Sequence, residues 1–479
     1  MANVKNKNDA ITPRDEDFAQ WYTDVCRKAE LMDYTSVKGF ITYLPYGYAI
    51  WEQIQKELDI RFKEAGAENV YLPMVIPTSL FNKEKEHIDG FAPETLVATI
   101  GGGEELADPL IIRPTSEVLF SDLYKKLVSS YRDLPKRFNQ WCSVVRWEKT
   151  TRPFLRGSEF LWQEGHCLFE TQKEAEENTL KMLSIYDEVG RDVLGIPFVK
   201  GKKTEHEKFA GAVATYTIEA LMHDGKALQA GTSHYFGQGF AEAFGIRFLG
   251  RNNALETPHQ TSWGVSTRLI GAVIMVHGDD NGLVLPPKVA PIQVIIVPIR
   301  QEAEGILPKC QEIANCLKKQ GIRAKIDDSD HTPGWKFAQW EMKGVPLRIE
   351  IGPRDLAEGH LMLSKRYNGE KLVLPIEEAE ASLPKVLDAI QEEMYQKAKA
   401  HLERSVVDVD SIETLNAALE KGGYARMAFC GGEECELKIK EITKGGTARA
   451  IYKEEVPEGT LCPVCGKPAT MVVYFAKAY

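Results

Sequence analysis

Four cations, Arg146, Lys149, Arg152 and Arg156, crowd the middle of the stretch from Gln140 to Phe169, with Glu148, Glu159 and Glu164 set among them. A guanidinium presents a planar fork of donors that matches phosphate oxygens two at a time, so this density of arginine suits a polyphosphate. The ordinary alternative is a solvated basic loop. Two features count against it: the glutamates interleave with the arginines, and rings flank the loop, Trp141 and Trp147 before it and Phe160 and Trp162 after it. That mixture suits a nucleotide held beside an amine-bearing molecule.

A second anion site is expected at Ser266–Arg268, where the strand-like run SWGV gives way to a helix carrying Arg268 in its first turn. A helix N-terminus attracts anions, and an arginine placed there opposes the helix dipole unless an anion joins it. Arg113-Pro114-Thr115-Ser116-Glu117 interrupts an apolar run. It reads either as a helix start, with Thr115 capping and Glu117 complementing the dipole, or as a hydroxyl and a carboxylate gripping an ammonium group. Gln229, Thr232, Ser233 and His234 lie together among small residues, where Gly231 lets backbone approach a ligand closely. His234 reads equally as a satisfied structural histidine. A basic turn, Val199 to Gly211, leads to Phe209. Near the C-terminus, Cys430 and Cys435 followed by Cys462 and Cys465 in a Pro/Gly-rich knuckle have the spacing of a four-cysteine structural zinc site, with free thiols or a redox CxxC as the rival readings.

The elements that must position these groups follow from periodicity. Alternating runs on either side of Pro153 and Gly157 predict a long antiparallel hairpin. Helical rhythm covers Asp15 to Tyr34 and Tyr46 to Ala65; in the second, Ile50, Trp51, Ile54, Leu58 and Phe62 share a face and Gly66 stops the helix. The strand candidate NVYLPMVIP contains Pro73, which cannot donate to a ladder and so places it at an edge or a kink. Helix and strand together fit a subunit interface, or packing within their own domain. Thr78 to Glu105 carries weak signals, and Glu170 to Val193 reads as a charged amphipathic helix. Pro286, Pro287 and Pro291 mark a boundary. Beyond it, strand and helix patterns alternate, with helices over Ala303 to Gln320 and Trp335 to Lys343, which predicts a small α/β domain with a largely parallel sheet. Its loops carry Lys336, Lys343, Arg348 and Arg354 but no nucleophile constellation, so this domain binds rather than catalyses. A long helix, Leu383 to Arg404, leads to the cysteine unit, and the apolar terminus YFAKAY should pack, with the Tyr479 carboxylate a candidate neighbour of the active site.

At 479 residues the chain exceeds one ordinary core, so about two or three domains are expected. An apolar fraction of 43% with 27% charged residues is that of a globular protein. No apolar run reaches the ~20 residues needed to cross a bilayer. Residues 1–18 lack the hydrophobic core of a signal peptide, which makes the cytoplasm the expected compartment. A net charge of −10 argues against non-specific nucleic-acid binding while leaving room for a structured RNA on a local basic face. Nine scattered cysteines point to thiols or metal ligands, not disulfides.

In this order, the pieces resemble the prolyl-tRNA synthetases, class II aminoacyl-tRNA synthetases, in their short archaeal and eukaryote-like form. The helix and strand ending at Pro73 resemble class motif 1, a dimer-interface element; Arg146–Glu148 through Phe160–His166 resembles motif 2; Ser266–Arg268 followed by LIGAV resembles motif 3. RPTSE, WQEGH and GTSHYFGQ carry the likeness to the proline enzymes specifically. The resemblance implies an α+β fold: an antiparallel-sheet catalytic domain over 1–285, an α/β anticodon-binding domain over 286–395 and a small α/β zinc-bearing domain over 396–479. It implies a homodimer without membrane association that uses ATP and Mg2+ to activate L-proline for tRNA(Pro), with Zn2+ held structurally by Cys430, Cys435, Cys462 and Cys465. By motif match, Arg146, Glu148, Arg156, Phe160, Gln229, Thr232 and Arg268 would meet ATP, with Arg146, Arg268 and Glu148 central to catalysis. Thr115, Glu117, Arg146, Trp162, Glu164, His166, Phe209 and His234 would hold proline, and Lys336, Arg348 and Arg354 would contact tRNA. The interval from Phe169 to His259 is too short for the editing insertion of bacterial-type relatives, so clearance of mischarged alanine is expected to come from elsewhere. The rivals are another class II synthetase of the same subgroup, for threonine or glycine, and a non-catalytic tRNA-binding relative; retention of Arg146, Arg156 and Arg268 opposes the latter.

Overall fold

The computed structural model describes residues 11–87 and 94–479, so the reading of the first ten residues and part of the weak-signal stretch lie outside the described residues. Helix α1, Phe18–Lys28, is capped by the Asp17 carboxylate and buries Trp21, Tyr22 and Val25. It ends earlier than its rhythm predicts, because Glu30 adopts φ 58° and reverses the chain into a short strand, Met32–Tyr34, paired with Ile41–Tyr43. Helix α2, Pro45–Glu64, begins with proline at its first position, where the missing N–H costs nothing. It buries Ile50, Trp51, Ile54, Leu58 and Phe62 as its periodicity requires.

The stretch around Pro73 is not one strand. Glu68–Asn69 (β1) forms the edge of the main sheet, while Val75–Pro77 joins a separate three-stranded sheet with Leu96–Gly101 and Glu104–Ile112. Between them the chain is held by isolated bonds, not by a ladder: the Arg113 side chain donates to the carbonyls of Leu72 (2.6 Å) and Pro73 (3.2 Å) and, outside this stretch, of Ser143 (3.0 Å), while the Val70 N–H donates to the Asn139 carbonyl (2.8 Å). After Ile112 the chain enters helix α3, Glu117–Leu127, whose N-cap is Ser116 and not Thr115.

The main sheet has seven strands. The predicted hairpin is β2, Lys136–Val145, against β3, Glu159–Phe169, in antiparallel register from Lys136↔Leu168 to Val145↔Glu159. Helix α4, Gln172–Val189, follows with a Thr171–Glu174 capping box. Then come β4 (Val199–Lys202), β5 (Ala214–Leu221), β6 (Ala227–Gly237) and β7 (His259–Ser266), which leads into helix α5, Arg268–His277. The spatial order is β1-β2-β3-β7-β6-β5-β4, antiparallel throughout except for the short β1 beside β2. Helices α2 and α4 cover one face and share a core with Trp141, Trp263 and Tyr186; the Phe62 and Trp263 ring centroids lie 4.7 Å apart.

The next unit is β8 (Val294–Pro298), α6 (Ile306–Lys319), β9 (Ala324–Ile326), α7 (Pro333–Met342), β10 (Leu347–Ile351), α8 (Pro353–Glu358), β11 (His360–Lys365) and β12 (Lys371–Pro375). Its sheet is mixed rather than largely parallel: β9, β8 and β10 run parallel, but β11 and β12 add a hairpin to the open edge. Helix α8 is too short for a crossover to a parallel strand, so the chain turns back at Gly359, in the left-handed region with φ 72°. Several contacts fix this unit to the first, among them two through side chains. Arg366 grips Asp279 through both carboxylate oxygens (2.6 and 2.7 Å), and the Tyr46 hydroxyl donates to the Lys343 carbonyl (2.9 Å).

Helix α9, Ala379–Arg404, runs to the last unit: β13 (Val406–Asp408), α10 (Ile412–Lys421), β14 (Tyr424–Phe429), α11 (Glu433–Ile442), β15 (Gly446–Lys453) and β16 (Met471–Lys477), in sheet order β13-β14-β16-β15. The expected packed terminus is present. The Tyr479 N–H donates to the Ala227 carbonyl (3.1 Å), and its ring lies 5.4 Å from the Arg152 guanidinium. No helix among the described residues is long and apolar enough to cross a membrane.

Candidate active site

The hairpin, the start of α3 and the middle of the sheet enclose one cavity of about 540 Å³. Thr115, Glu117, Arg146, Phe160, Trp162, Glu164, Phe209, Gln229, Thr232, His234 and Arg268, far apart in sequence, all line it. They converge because β3, β7 and β6 are neighbours and their alternate residues face the same side.

One end is acidic. Glu164 is buried, and burial alone would raise its carboxyl; the His166 ring and the Ser116 donors outweigh that and hold it below the usual carboxylate range. The Ser116 N–H donates to Oε2 (3.0 Å), His166 Nε2 lies 3.1 Å from the same oxygen, and the Gln140 amide donates to Oε1 (3.1 Å). Thr115 bonds Glu117, which stands beside it in the pocket wall. The helix-start reading holds for Glu117, which opens α3, but not for Thr115 as the cap; both residues face the cavity, as the cation-grip reading requires. Glu117, Glu164 and His166 lie close enough to share an ion, but their oxygens are already engaged by neutral donors, an arrangement suited to an ammonium. His166 does not line the cavity. It is fully buried behind Glu164, stacked on Phe120 at 4.3 Å, so its part is to orient that carboxylate.

The other end is basic. Arg146 donates from Nε to the Pro114 carbonyl (3.0 Å) and lies 5.5 and 5.4 Å from the ring centres of Phe160 and Trp162. Burial lowers its pKa, while Glu117, Glu164 and Glu148 oppose that. Arg268, the first residue of α5, donates to the carbonyls of Leu155 and Gln229, both at 3.0 Å. Burial, with Arg156 and Arg146 nearby, pushes it down to about 10. It remains a cation at neutral pH in a field that favours an incoming anion. Glu148 and Arg156 sit in the hairpin loop outside the lining, 4.0 Å from each other.

Between the two ends, His234 Nδ1 lies 2.9 Å from the Thr215 hydroxyl, and that hydroxyl accepts the Phe209 N–H (2.9 Å). Burial pushes His234 down to about 3, so it is neutral at physiological pH, and its ring lies 4.9 Å from that of Phe209. Gly231 lines the cavity, as its surroundings suggest, and strand packing also requires it. A Cβ there would come 2.5 Å from Val265 Cγ1 on β7, so its smallness serves strand packing, next to a bulge between Ile218 and Glu219. Lys203 and Glu207 of the basic turn and Ser266 of the expected anion site also line the cavity, as do Thr215 and Ser262, which carried no sequence signal of their own.

Family models match three parts of the chain: the tRNA synthetase class II core domain (G, H, P, S and T) over residues 99–277, an anticodon binding domain over 293–385, and a prolyl-tRNA synthetase C-terminal domain over 412–479. The chain is 55% identical to a proline–tRNA ligase of Lachnospira eligens and 54% to one of Clostridium botulinum, each over the full length of both chains. The chain belongs to the prolyl-tRNA synthetase family. Two crystal structures of the family's Cryptosporidium parvum member are similar throughout. One, complexed with halofuginone and AMPPNP, has TM-score 0.95 and 40% identity over 98% of this chain and 99% of that one. The other, complexed with L-proline and AMP, has TM-score 0.94 and 38% identity over 100% of this chain and 99% of that one.

Outside the main cavity, the family's C-terminal unit brings the Sγ atoms of Cys430, Cys435, Cys462 and Cys465 within 4.8 Å of one another. Cys430 lies 3.7 Å from Cys435 and 3.8 Å from Cys465. A tetrahedron with Zn–S of about 2.3 Å has S···S edges of about 3.8 Å, so the four thiols fit zinc. The Gly432 N–H points at Cys430 Sγ (3.4 Å), as a thiolate would favour.

The three cations expected to meet RNA are separated by their surroundings. Arg348 stacks 3.9 Å over Phe337, pairs with Glu350 (2.9 Å), and lines a basic depression with Lys365, Arg366 and Lys371. Arg354 is exposed on α8 beside Glu358 (2.9 Å). Lys336 does not fit the expectation: it is buried, donating to the Asp327 carbonyl at 2.9 Å, and braces the sheet from within.

Proposed function

We propose that the chain activates L-proline with ATP and transfers it to the 3′ end of tRNA(Pro). The observation that carries this reading is the single cavity with carboxylates at one end and guanidiniums at the other. It matches a zwitterionic amino acid laid against a polyphosphate. Glu117 and Thr115, with Glu164 behind them, receive the secondary ammonium, and Trp162, Phe209 and His234 wall the ring. Arg146 holds the proline carboxylate beside the α-phosphate. A carboxylate oxygen attacks the α-phosphorus, the new O–P bond forms as the bridging bond to the β-phosphate breaks, and pyrophosphate leaves. Catalysis is alignment and charge neutralisation. Arg268, with Arg156 from the hairpin loop, takes the departing phosphates, Phe160 stacks on adenine and Glu148 reads its amino edge.

A ribose hydroxyl of the tRNA then attacks the prolyl carbonyl, and AMP leaves. Gln229 and Thr232 offer neutral oxygens at the phosphate end, which fits Mg2+ held mainly by phosphate oxygens. Arg348 and Arg354 are the anticodon-side candidates, and the domain divisions fall at 1–285, 286–395 and 396–479. A homodimer through α2 and the β1 edge is supported by exposed Tyr71, Met74 and Ile60 there. The test is ATP–pyrophosphate exchange with each of the twenty amino acids. Exchange driven by proline is expected, and exchange driven best by threonine or glycine would overturn the assignment.

A further inference from the structure

The turn between β4 and β5 carries Phe209 to the pocket, yet its own charged residues face the C-terminal unit. One donor atom each from His206, Glu207 and Glu436, on α11, lie within 4.8 Å of one another. Glu433, one residue short of a full turn before Glu436, brings a carboxylate oxygen to 3.2 Å from His206 Nδ1. Glu436 is only 5% exposed, and neither of its carboxylate oxygens makes a hydrogen bond of ordinary length, the nearby Thr204 hydroxyl being the neutral donor that faces it. An ionised carboxylate buried that way costs several kcal/mol unless a cation joins it.

The neighbouring protein cations fill that role only in part, since Lys203 favours the charged Glu436 from a distance but is engaged with Glu219. Lys203 lies 3.5 Å from Glu219, and Arg449 is 2.8 Å from the same carboxylate. That leaves Glu207, Glu433 and Glu436 facing His206 with a surplus of negative charge. Donors held at about 2.0–2.2 Å from one ion are at most about 4.4 Å apart, so a small side-chain rotation closes the observed spread.

We propose that His206, Glu207 and Glu436, with Glu433 at the rim, bind a divalent cation that fastens the Phe209-bearing turn to the C-terminal unit. One imidazole with carboxylates suits Zn2+ or Mn2+ and lacks the thiolates of the cysteine cluster. Glu207 and Phe209 both line the catalytic cavity, so occupancy fixes one of its walls.

The test titrates Mn2+ into the full chain, with its cysteine cluster already loaded with zinc and no substrate present, following free Mn2+ by electron paramagnetic resonance. The expected result is one Mn2+ bound per chain, displaced by Zn2+, with affinity falling at least about tenfold in both Glu436→Gln and His206→Gln. Unchanged zinc content in each variant verifies that the C-terminal unit is folded, and His206 lies on an exposed turn. Any Mn2+ held by pocket glutamates is common to all three proteins and cancels. The proposal is overturned if the unsubstituted chain binds no Mn2+, or if either variant keeps its full affinity. The readout is binding alone, so it is independent of the reaction assigned above.

Discussion

Removing Arg449 is expected to destabilise the chain by about 3 kcal/mol, the lower end of the 3–5 kcal/mol range for breaking a buried ion pair. The pair joins β15 of the C-terminal unit to β5 of the main sheet. Arg449 Nη2 lies 2.8 Å from Glu219 Oε2 and 3.1 Å from Oε1, and Nε lies 3.1 Å from Oε2. Glu219 is 0% and Arg449 7% exposed. In Arg449→Met the apolar stem is retained, so the loss is electrostatic. Glu219 keeps only the Thr217 hydroxyl (3.0 Å) and the more distant Lys203 (3.5 Å), which is why the lower end applies. The double variant Glu219→Gln/Arg449→Met removes both charges of the pair and should recover at least about 1 kcal/mol of the loss, the remainder reflecting Lys203 left without its Glu219 partner. The assay is urea denaturation of the zinc-loaded protein, followed by circular dichroism and tryptophan fluorescence together, with coincident transitions required. A coupling below about 0.5 kcal/mol, the scatter expected of independent sites, would refute the reasoning. Glu219 is in register with Gln229 across the bulge, so Arg449→Met should also raise the KM for ATP more than it lowers kcat.

Arg146→Ala should lower proline-dependent pyrophosphate exchange at least about 100-fold, as loss of a charge-stabilising donor does; ordinary exchange would remove Arg146 from the reaction. Arg348→Ala should weaken tRNA charging and leave exchange largely intact, and equal loss of both would contradict separate binding and catalytic units. Elemental analysis after dialysis against a weak chelator should find about one zinc per chain, absent in Cys462→Ser. His234 is held neutral to about pH 3 while an unfolded chain protonates it near its ordinary 6.5. Stability should therefore fall by up to about 1.4 kcal/mol per pH unit below 6.5, and His234→Gln should flatten that slope in acid-denaturation curves.

Much of the site was legible from residue type and spacing. The arginine-rich hairpin, the Arg268 helix start and the four cysteines are local patterns whose chemistry follows from a few neighbouring residues. The amphipathic α2 and α4 follow from periodicity in the same way. Partners set across the sheet were not legible. His166 falls in a run with Glu164 and shares its face of the strand, but the packing of Phe120 against its ring turns it into a buried brace. Lys336 looks like any surface lysine until α7 docks and its ammonium meets the Asp327 carbonyl. Gly231 is demanded by Val265, a residue on another strand.

The mixed sheet of the second unit followed the same rule: alternating strand and helix patterns do not state strand direction, which the short α8 and Gly359 set. Lys203, Glu219 and Arg449 carry no motif, since burial is what makes a lysine or an arginine consequential, and burial is a property of packed neighbours. Local order therefore specified which groups have the chemistry to suit phosphate, ammonium and zinc. Long-range packing chose which of them face the cavity, which stand behind it, and how firmly the C-terminal unit is bound to the sheet that carries them.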